Sequence, residues 1–273
     1  MNLDLLFYVA AQTGNKEMYN IALAHARTTQ RSHIRSDSST IHLVVFDPLT
    51  GDVKSNLTNQ GHSPSSCWAR GQAWAIAGFA ETYHWTHDKS FLSTSRNCAD
   101  YFIARLPPSS IPPWDFDAVE REPKKQHPSD TSAAMIAAYG MLLLHEALTA
   151  LGEESGYLAE ALRITAAVCE SHINPHAKFT VQKETIKTVE HGAMEYEAQL
   201  GVDVGEVEAI LSGATINNYE FAPRRWANHS LVYADYFFLL VGNKLLEMGL
   251  GPFIAEGTDQ LKNNGNGIVN GKA

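Results

Sequence analysis

Along most of the chain the apolar positions recur with a helical period. Residues 2–12 are apolar on most sides, which predicts a buried helix. Thr13-Gly14-Asn15 then turns the chain into a second helix near 16–30, with Met18, Ile21, Ala22 and His25 at helical spacing. The same pattern returns twice. Phe79–Tyr83 runs through Thr86-His87-Asp88 to Phe91-Leu92 and Cys98–Phe102, and Leu144–Leu148 runs through Gly152–Glu154 to Tyr157-Leu158 and Ala161-Leu162. Three helix–turn–helix units therefore recur roughly every sixty to seventy residues, and a long apolar helix from Ser230 to about Leu246 opens a fourth.

Longer segments separate these units. Ile41–Phe46 followed by Asp47–Asp52 reads as a strand and tight turn, pairing as a hairpin with Val53-Lys54-Ser55. Pro107 to Pro128 is a long loop that holds Trp114, Asp115 and Asp117. Phe179-Thr180-Val181 and Ile210-Leu211 are short strand candidates. Helical hairpins joined by long loops at one end suggest a ring of hairpins whose loops line a site.

At 273 residues the chain can bury a substantial core as one domain. A formal net charge of −9 argues against nucleic acid or an anionic membrane as partner, so an anionic ligand must be met by local cations. The three cysteines, Cys67, Cys98 and Cys169, suggest neither a disulfide framework nor a zinc site. His84 and His87 lack a third ligand at metal spacing, so no metal or cofactor is expected. No run reads as long and apolar enough to span a membrane, and the N-terminus carries no signal peptide pattern.

The densest chemistry lies in Gln60–Trp74, where a polar loop enters an apolar helix that is predicted to start near Ser65 or Ser66. Trp68, Arg70 and Trp74 then fall in the first two turns. An aromatic face can take the apolar face of a sugar ring, and an Arg fork can clamp a carboxylate with two bonds. The same residues would also serve a helix start with two core tryptophans and a surface Arg, and residue types alone leave both readings open.

Gln60-Gly61, a polar spacer and Trp68-Ala69-Arg70-Gly71-Gln72-Ala73-Trp74 resemble the signature of the unsaturated glucuronyl hydrolases, glycoside hydrolase family 88. Met1-Asn2-Leu3, Arg35–His42, Phe46-Asp47-Pro48, Trp114–Asp117 and Asp130–Ala134 resemble further family blocks, in family order. The resemblance covers roughly residues 1 to 245. It implies an all-α fold, the (α/α)6 barrel of six helical hairpins. Only seven or eight helices can be found before Gly249, so residues 1–249 read as the C-terminal two-thirds of such a barrel, and 250–273, rich in Gly, Asn and Lys, as a disordered tail.

The family removes a 4,5-unsaturated uronic acid from oligosaccharides made by polysaccharide lyases. A carboxyl group protonates the C4=C5 bond while water adds at C5, and the resulting hemiketal opens. By resemblance that Asp lies just ahead of Met1-Asn2, so no catalytic residue is assigned within this chain; Asp4 matches neither catalytic position. The resemblance assigns substrate binding to His42, Thr58, Gln60, Trp68, Arg70 and Trp74. Arg70 is the carboxylate partner and the two tryptophans are stacking platforms. At position 56 the chain has Asn where the family loop has Gly. Asp115 and Asp117 could form an acid/base pair, but the block resembles a structural closure of the barrel mouth, and Asp130 reads as a helix N-cap. Arg224–His229 fall where the family places residues near the far side of the sugar. The expected partner is an unsaturated uronic-acid oligosaccharide. The rivals are a catalytically dead uronide-binding remnant and an unsaturated rhamnogalacturonyl hydrolase. Oligomeric state is open, and so is the compartment, with the cytoplasm favoured.

Overall fold

The computed structural model describes residues 3–118, 127–176, 178–188, 192–203 and 209–251. The Met1-Asn2 block and almost all of the expected tail (252–273) lie outside the described residues. The first hairpin is α1 (Asp4–Thr13) and α2 (Lys16–His33). Gly14 ends α1 in a left-handed conformation at φ 66°, and the Asn15 side chain caps α2 by accepting from the Met18 amide at 3.0 Å. In the second hairpin, α3 (Ala69–Thr86) ends on left-handed His87, and Asp88 caps α4 (Lys89–Arg105) through the Ser90 amide. The third is α5 (Thr131–Ala150) and α6 (Tyr157–His172), and α7 (Val232–Glu247) follows alone. The described residues thus hold seven helices.

Helices α1, α3, α5 and α7 follow one another side by side, while α2, α4 and α6 lie against them. Small residues set this layering. Ala73, Ala77 and Ala80 of α3 face Ala133, Ala137 and their neighbours on α5, all buried. At the closest point Gly140 is required, because a Cβ there would lie 2.7 Å from the Ala77 amide nitrogen and 2.8 Å from Ile76 Cγ2. The other faces bury Phe79, Phe91, Phe102, Met135, Met141, Leu144 and Leu148.

The expectation that no run is long and apolar enough to span a membrane is corrected by α5. By length and composition α5, with a mean hydropathy of 1.4, could cross a membrane. Here it is the central helix, packed between α3, α6 and α7.

Two antiparallel hairpins interrupt the helices. β1 (Leu43–Phe46) pairs with β2 (Val53–Leu57), with Leu43 opposite Leu57, close to the predicted hairpin. β3 (Lys178–Thr188) and β4 (Gly192–Asp203) form a longer one, of which the sequence marked only three residues. The pairing shifts register between Gln182 and Lys183, where Ala198 of β4 is the extra residue. Leu211 makes only an isolated bridge to Ile173.

Candidate functional site

The helix α3 starts at Ala69, with Trp68 as its extended N-cap, rather than at Ser65 or Ser66. The backbone ahead of it is already committed elsewhere. Ser66 turns back on Ser63, and the Trp68 strand position bridges Asp115. The Ala69 amide donates to the Trp114 carbonyl and the Phe116 amide to the Cys67 carbonyl.

Asp115 locks this junction. Buried to 1% exposure, it accepts from the His62 amide (2.7 Å), the Ser66 hydroxyl (2.7 Å) and the Asp117 amide (2.9 Å). Asp117 accepts from the Cys67 amide (2.8 Å) and pairs with Arg105 (2.7 Å). Both carboxylates therefore hold the loop closed, and neither stands free as an acid or base.

Arg70 is 1% exposed. Its Nη1 donates to Asp130 (2.8 Å), the Ser132 hydroxyl (3.0 Å) and the Thr215 carbonyl (2.9 Å), and its Nη2 to the Ile216 carbonyl (2.8 Å). The guanidinium carbon lies 4.7 Å from the Trp68 ring and 5.3 Å from the Tyr233 ring. Arg70 thus ties the start of α3 to the start of α5, to the 215–216 segment and to α7, and most of its fork is already used. Asp130 caps α5 as predicted, accepting from the Ser132 amide and hydroxyl, but it is also the buried anion that faces Arg70. Burial pushes the Asp130 carboxyl up from its ordinary value, opposed chiefly by the Arg70 charge.

His42 sits beside this pair, its ring 4.3 Å from Trp68. The Asn59 amide donates to His42 Nδ1 at 3.4 Å, which makes Nδ1 an acceptor, and the Thr58 hydroxyl, which accepts from the Gly61 amide at 3.0 Å, lies 2.9 Å from the same nitrogen. With Nδ1 as acceptor, the ring proton belongs on Nε2. Burial first, then the Arg70 charge and His33, lowers the His42 pKa to about 4. At neutral pH His42 is an uncharged Nε2–H donor.

Gln60 Nε2 donates to the Ile216 carbonyl at 3.0 Å, the same oxygen that Arg70 uses. Next to it opens a concavity of about 240 Å³ lined by Gln60, Ile216, Asn217, Arg224 and Trp226. Arg224 stacks 4.8 Å over Trp226, which is 45% exposed.

His42, Thr58, Gln60, Trp68 and Arg70 are thus brought together, while Trp74 lies farther down α3. Trp74 is half-buried, its ring centre 5.3 Å from that of Phe237 in a T-shaped contact. Trp68 is only 7% exposed and packs against Arg70 and His42. Trp226, by contrast, is exposed. The Arg70–Asp130 pair was not foreseen, although adjacent layer helices that begin at the same end would have pointed to it. Chemically the cluster offers a neutral imidazole donor, a guanidinium over an indole, and three carboxylates already held by internal partners.

No protein-family model matches the chain. It is 32% identical over 209 residues to an unsaturated chondroitin disaccharide hydrolase of Streptococcus pneumoniae, covering 76% of this chain and 50% of that protein. It is 36% identical over 165 residues to an unsaturated glucuronyl hydrolase of a Bacillus species, covering 60% and 43%. The chain spans about half the length of the curated relatives it matches. Among solved structures, the unsaturated glucuronyl hydrolase of Bacillus sp. GL1 superposes with a TM-score of 0.70 at 28% identity, over 92% of this chain and 58% of that one. One described as specific for heparin gives 0.70 at 26% identity, over 91% and 58%. Sequence similarity over most of the chain and the shared helical layers lead to one assignment: the chain belongs to the unsaturated glucuronyl hydrolase family, and its helices are part of that family's (α/α)6 barrel.

Proposed function

We propose that the chain forms the sugar-binding wall of a glycosidase that releases a 4,5-unsaturated uronic acid from the non-reducing end of lyase-generated oligosaccharides. The observation that carries this reading is the convergence of His42, Thr58, Gln60 and Arg70 at the start of α3, beside an open concavity. In this reading the His42 Nε2–H and Gln60 contact the terminal sugar. Arg70, buried behind Gln60 and the Ile216 carbonyl, sets their positions and contributes its charge to the uronate carboxylate at longer range. Trp68 and Trp74 shape the wall from behind. The relatives act, by their names, on chondroitin and glucuronyl substrates, and one solved relative carries dGlcA-Glc-Rha-Glc. The shared terminal unsaturated uronic acid is therefore the part of the substrate proposed here.

The chemical step in this reading is vinyl-ether hydration. A carboxylic acid protonates C4 of the C4=C5 bond, water adds to C5 with loss of its proton to the carboxylate, and the hemiketal opens to release the remaining sugar. Asp115, Asp117 and Asp130 are each held by internal donors, which supports assigning the acid to a family Asp just ahead of Met1. The test follows the loss of ultraviolet absorbance of an unsaturated disaccharide with this 273-residue chain and with a form extended upstream. The extended form should turn over, and the 273-residue chain should be slower by about 10²–10⁴-fold. Equal rates would refute the assignment of the acid, and no turnover by either would leave a binding remnant.

A further inference from the structure

Residues 214–217 and 226–229 run antiparallel beside the candidate site, and their pairing is interrupted at one place. Ala214 and His229 exchange both backbone hydrogen bonds, at 2.8 and 2.9 Å. A regular antiparallel ladder repeats such a pair every second residue, so the next pair should be Ile216 with Ala227. Among the described residues, however, Ile216 and Ala227 share no backbone hydrogen bond. The next exchange is Asn217 with Trp226, at 3.2 and 2.8 Å. Asn228, in the left-handed region at φ 59°, lies within the interrupted stretch.

The interruption frees both polar groups of Ile216, and side chains take them. The Ile216 amide donates to His229 Nε2 at 3.4 Å. The Ile216 carbonyl accepts from Arg70 Nη2 at 2.8 Å and from Gln60 Nε2 at 3.0 Å. The imidazole is oriented for its part. A backbone amide can only donate, so Nε2 is the acceptor and the ring proton sits on Nδ1, which donates to the Ser230 carbonyl at 2.6 Å. Thr215, next in line, gives its amide to Asp130 at 3.4 Å and its carbonyl to Arg70 Nη1 at 2.9 Å, so the whole segment is held by the same cluster.

We propose that His229 is a positioning residue of the sugar site, an inference that rests on the function proposed above. By taking the Ile216 amide it keeps the ladder from closing, and so keeps the Ile216 carbonyl turned to Arg70 and Gln60. Without that acceptor the Ile216 amide would pair with the Ala227 carbonyl, and the Ile216 carbonyl with the Ala227 amide. Gln60 would then lose the oxygen that fixes its carboxamide beside the concavity it lines with Asn217, Arg224 and Trp226.

Nitrogen-15 spectra and amide hydrogen exchange of the 273-residue chain read this geometry without any sugar. His229 should be the Nδ1–H tautomer, and the Ala227 amide should exchange freely. His229→Leu, which keeps bulk but removes the acceptor, should slow Ala227 exchange by at least about tenfold as the ladder closes. In the form extended upstream, His229→Leu should raise KM about tenfold and leave kcat within about twofold. His229→Gln, whose Oε1 can accept from the same amide, should restore KM. In a Gln60→Ala background His229→Leu should add little, because the carboxamide it acts through is gone. An Nε2–H tautomer, or Ala227 exchange unchanged by His229→Leu, would overturn the inference. So would a KM effect fully additive with Gln60→Ala, which would put His229 directly against the sugar. Absence of turnover in every form would strike the proposed function, while the exchange result still decides whether His229 holds Ile216.

Discussion

The close approach of α3 and α5 at Gly140 makes Gly140→Ala an exacting test of the packing argument. An added Cβ would lie 2.7 Å from Ala77 N, 2.8 Å from Ile76 Cγ2 and 2.9 Å from Ala77 Cα. Two of these atoms are backbone, so no rotamer change relieves the clash. Restoring ordinary contact requires α3 and α5 to separate by about 1 Å locally, a form of overpacking that costs about 1–3 kcal/mol. The substitution also gains about 0.5–1 kcal/mol of helix propensity. The net expectation is a loss of about 1–2 kcal/mol. Urea unfolding should show the midpoint fall by about 0.5–1 M with the slope unchanged. Gly156→Ser, at the N-cap of α6 with open space around it, is the control and should not lose stability. An unchanged or higher midpoint for Gly140→Ala would refute the claim that this approach is backbone-limited.

Two further predictions concern protons. Glu81 on α3 has its pKa raised from 4.5 to about 8, mainly by burial and then by Asp4. The unfolded chain therefore releases this proton above about pH 4.5 while the folded one keeps it to about pH 8, so stability falls as pH rises through that window. Glu81→Gln should flatten the profile and be more stable than the parent by about 2–4 kcal/mol at pH 8.5, after allowance for partial solvent access; parallel profiles from pH 5 to 8.5 would count against it. For His42 the shift has the opposite sign. Protonation is resisted between pH 6.5 and about 4, so its contribution to stability is present above that range and lost as pH falls through it. Nitrogen-15 spectra should show an Nε2–H tautomer at neutral pH and no titration near 6.5; a midpoint there would contradict the effect of burial and Arg70, and an Nδ1–H tautomer would contradict the hydrogen-bond scheme.

Much of the helical frame was legible because each hairpin turn carries its own chemistry: Gly14 with Asn15, His87 with Asp88, and Gly152 after α5. Asp130 was readable as a cap for the same reason. Long-range partners override local signals at the start of α3. Serine-rich Ser63–Ser66 looks like a helix cap, yet Asp115, 49 residues away from Ser66, takes those groups into a turn and delays the helix to Ala69. The surroundings of the aromatic residues were likewise not legible. Trp68 and Trp74 have the right spacing for platforms, and a ring at a layer boundary packs against whatever the next helix supplies, here Arg70 and Phe237. Composition alone cannot tell α5, apolar because it is enclosed by other helices, from a helix enclosed by lipid.

The carbonyl of Ile216 receives hydrogen bonds from both Arg70 and Gln60, partners 146 and 156 residues earlier in the chain. That separation sets an order of events during synthesis. At roughly 5–20 residues per second, translation needs about 7–30 s to travel from Arg70 to Ile216. In the later part of that interval Arg70 can meet Asp130 and Ser132 but neither carbonyl of the 215–216 segment. The His42 face of the site can be in place while its far wall has yet to be made. A ribosome that pauses within the β3–β4 hairpin would hold the nascent chain in that half-built state, and its recovery depends on the last helix arriving before the exposed α5 face finds another partner.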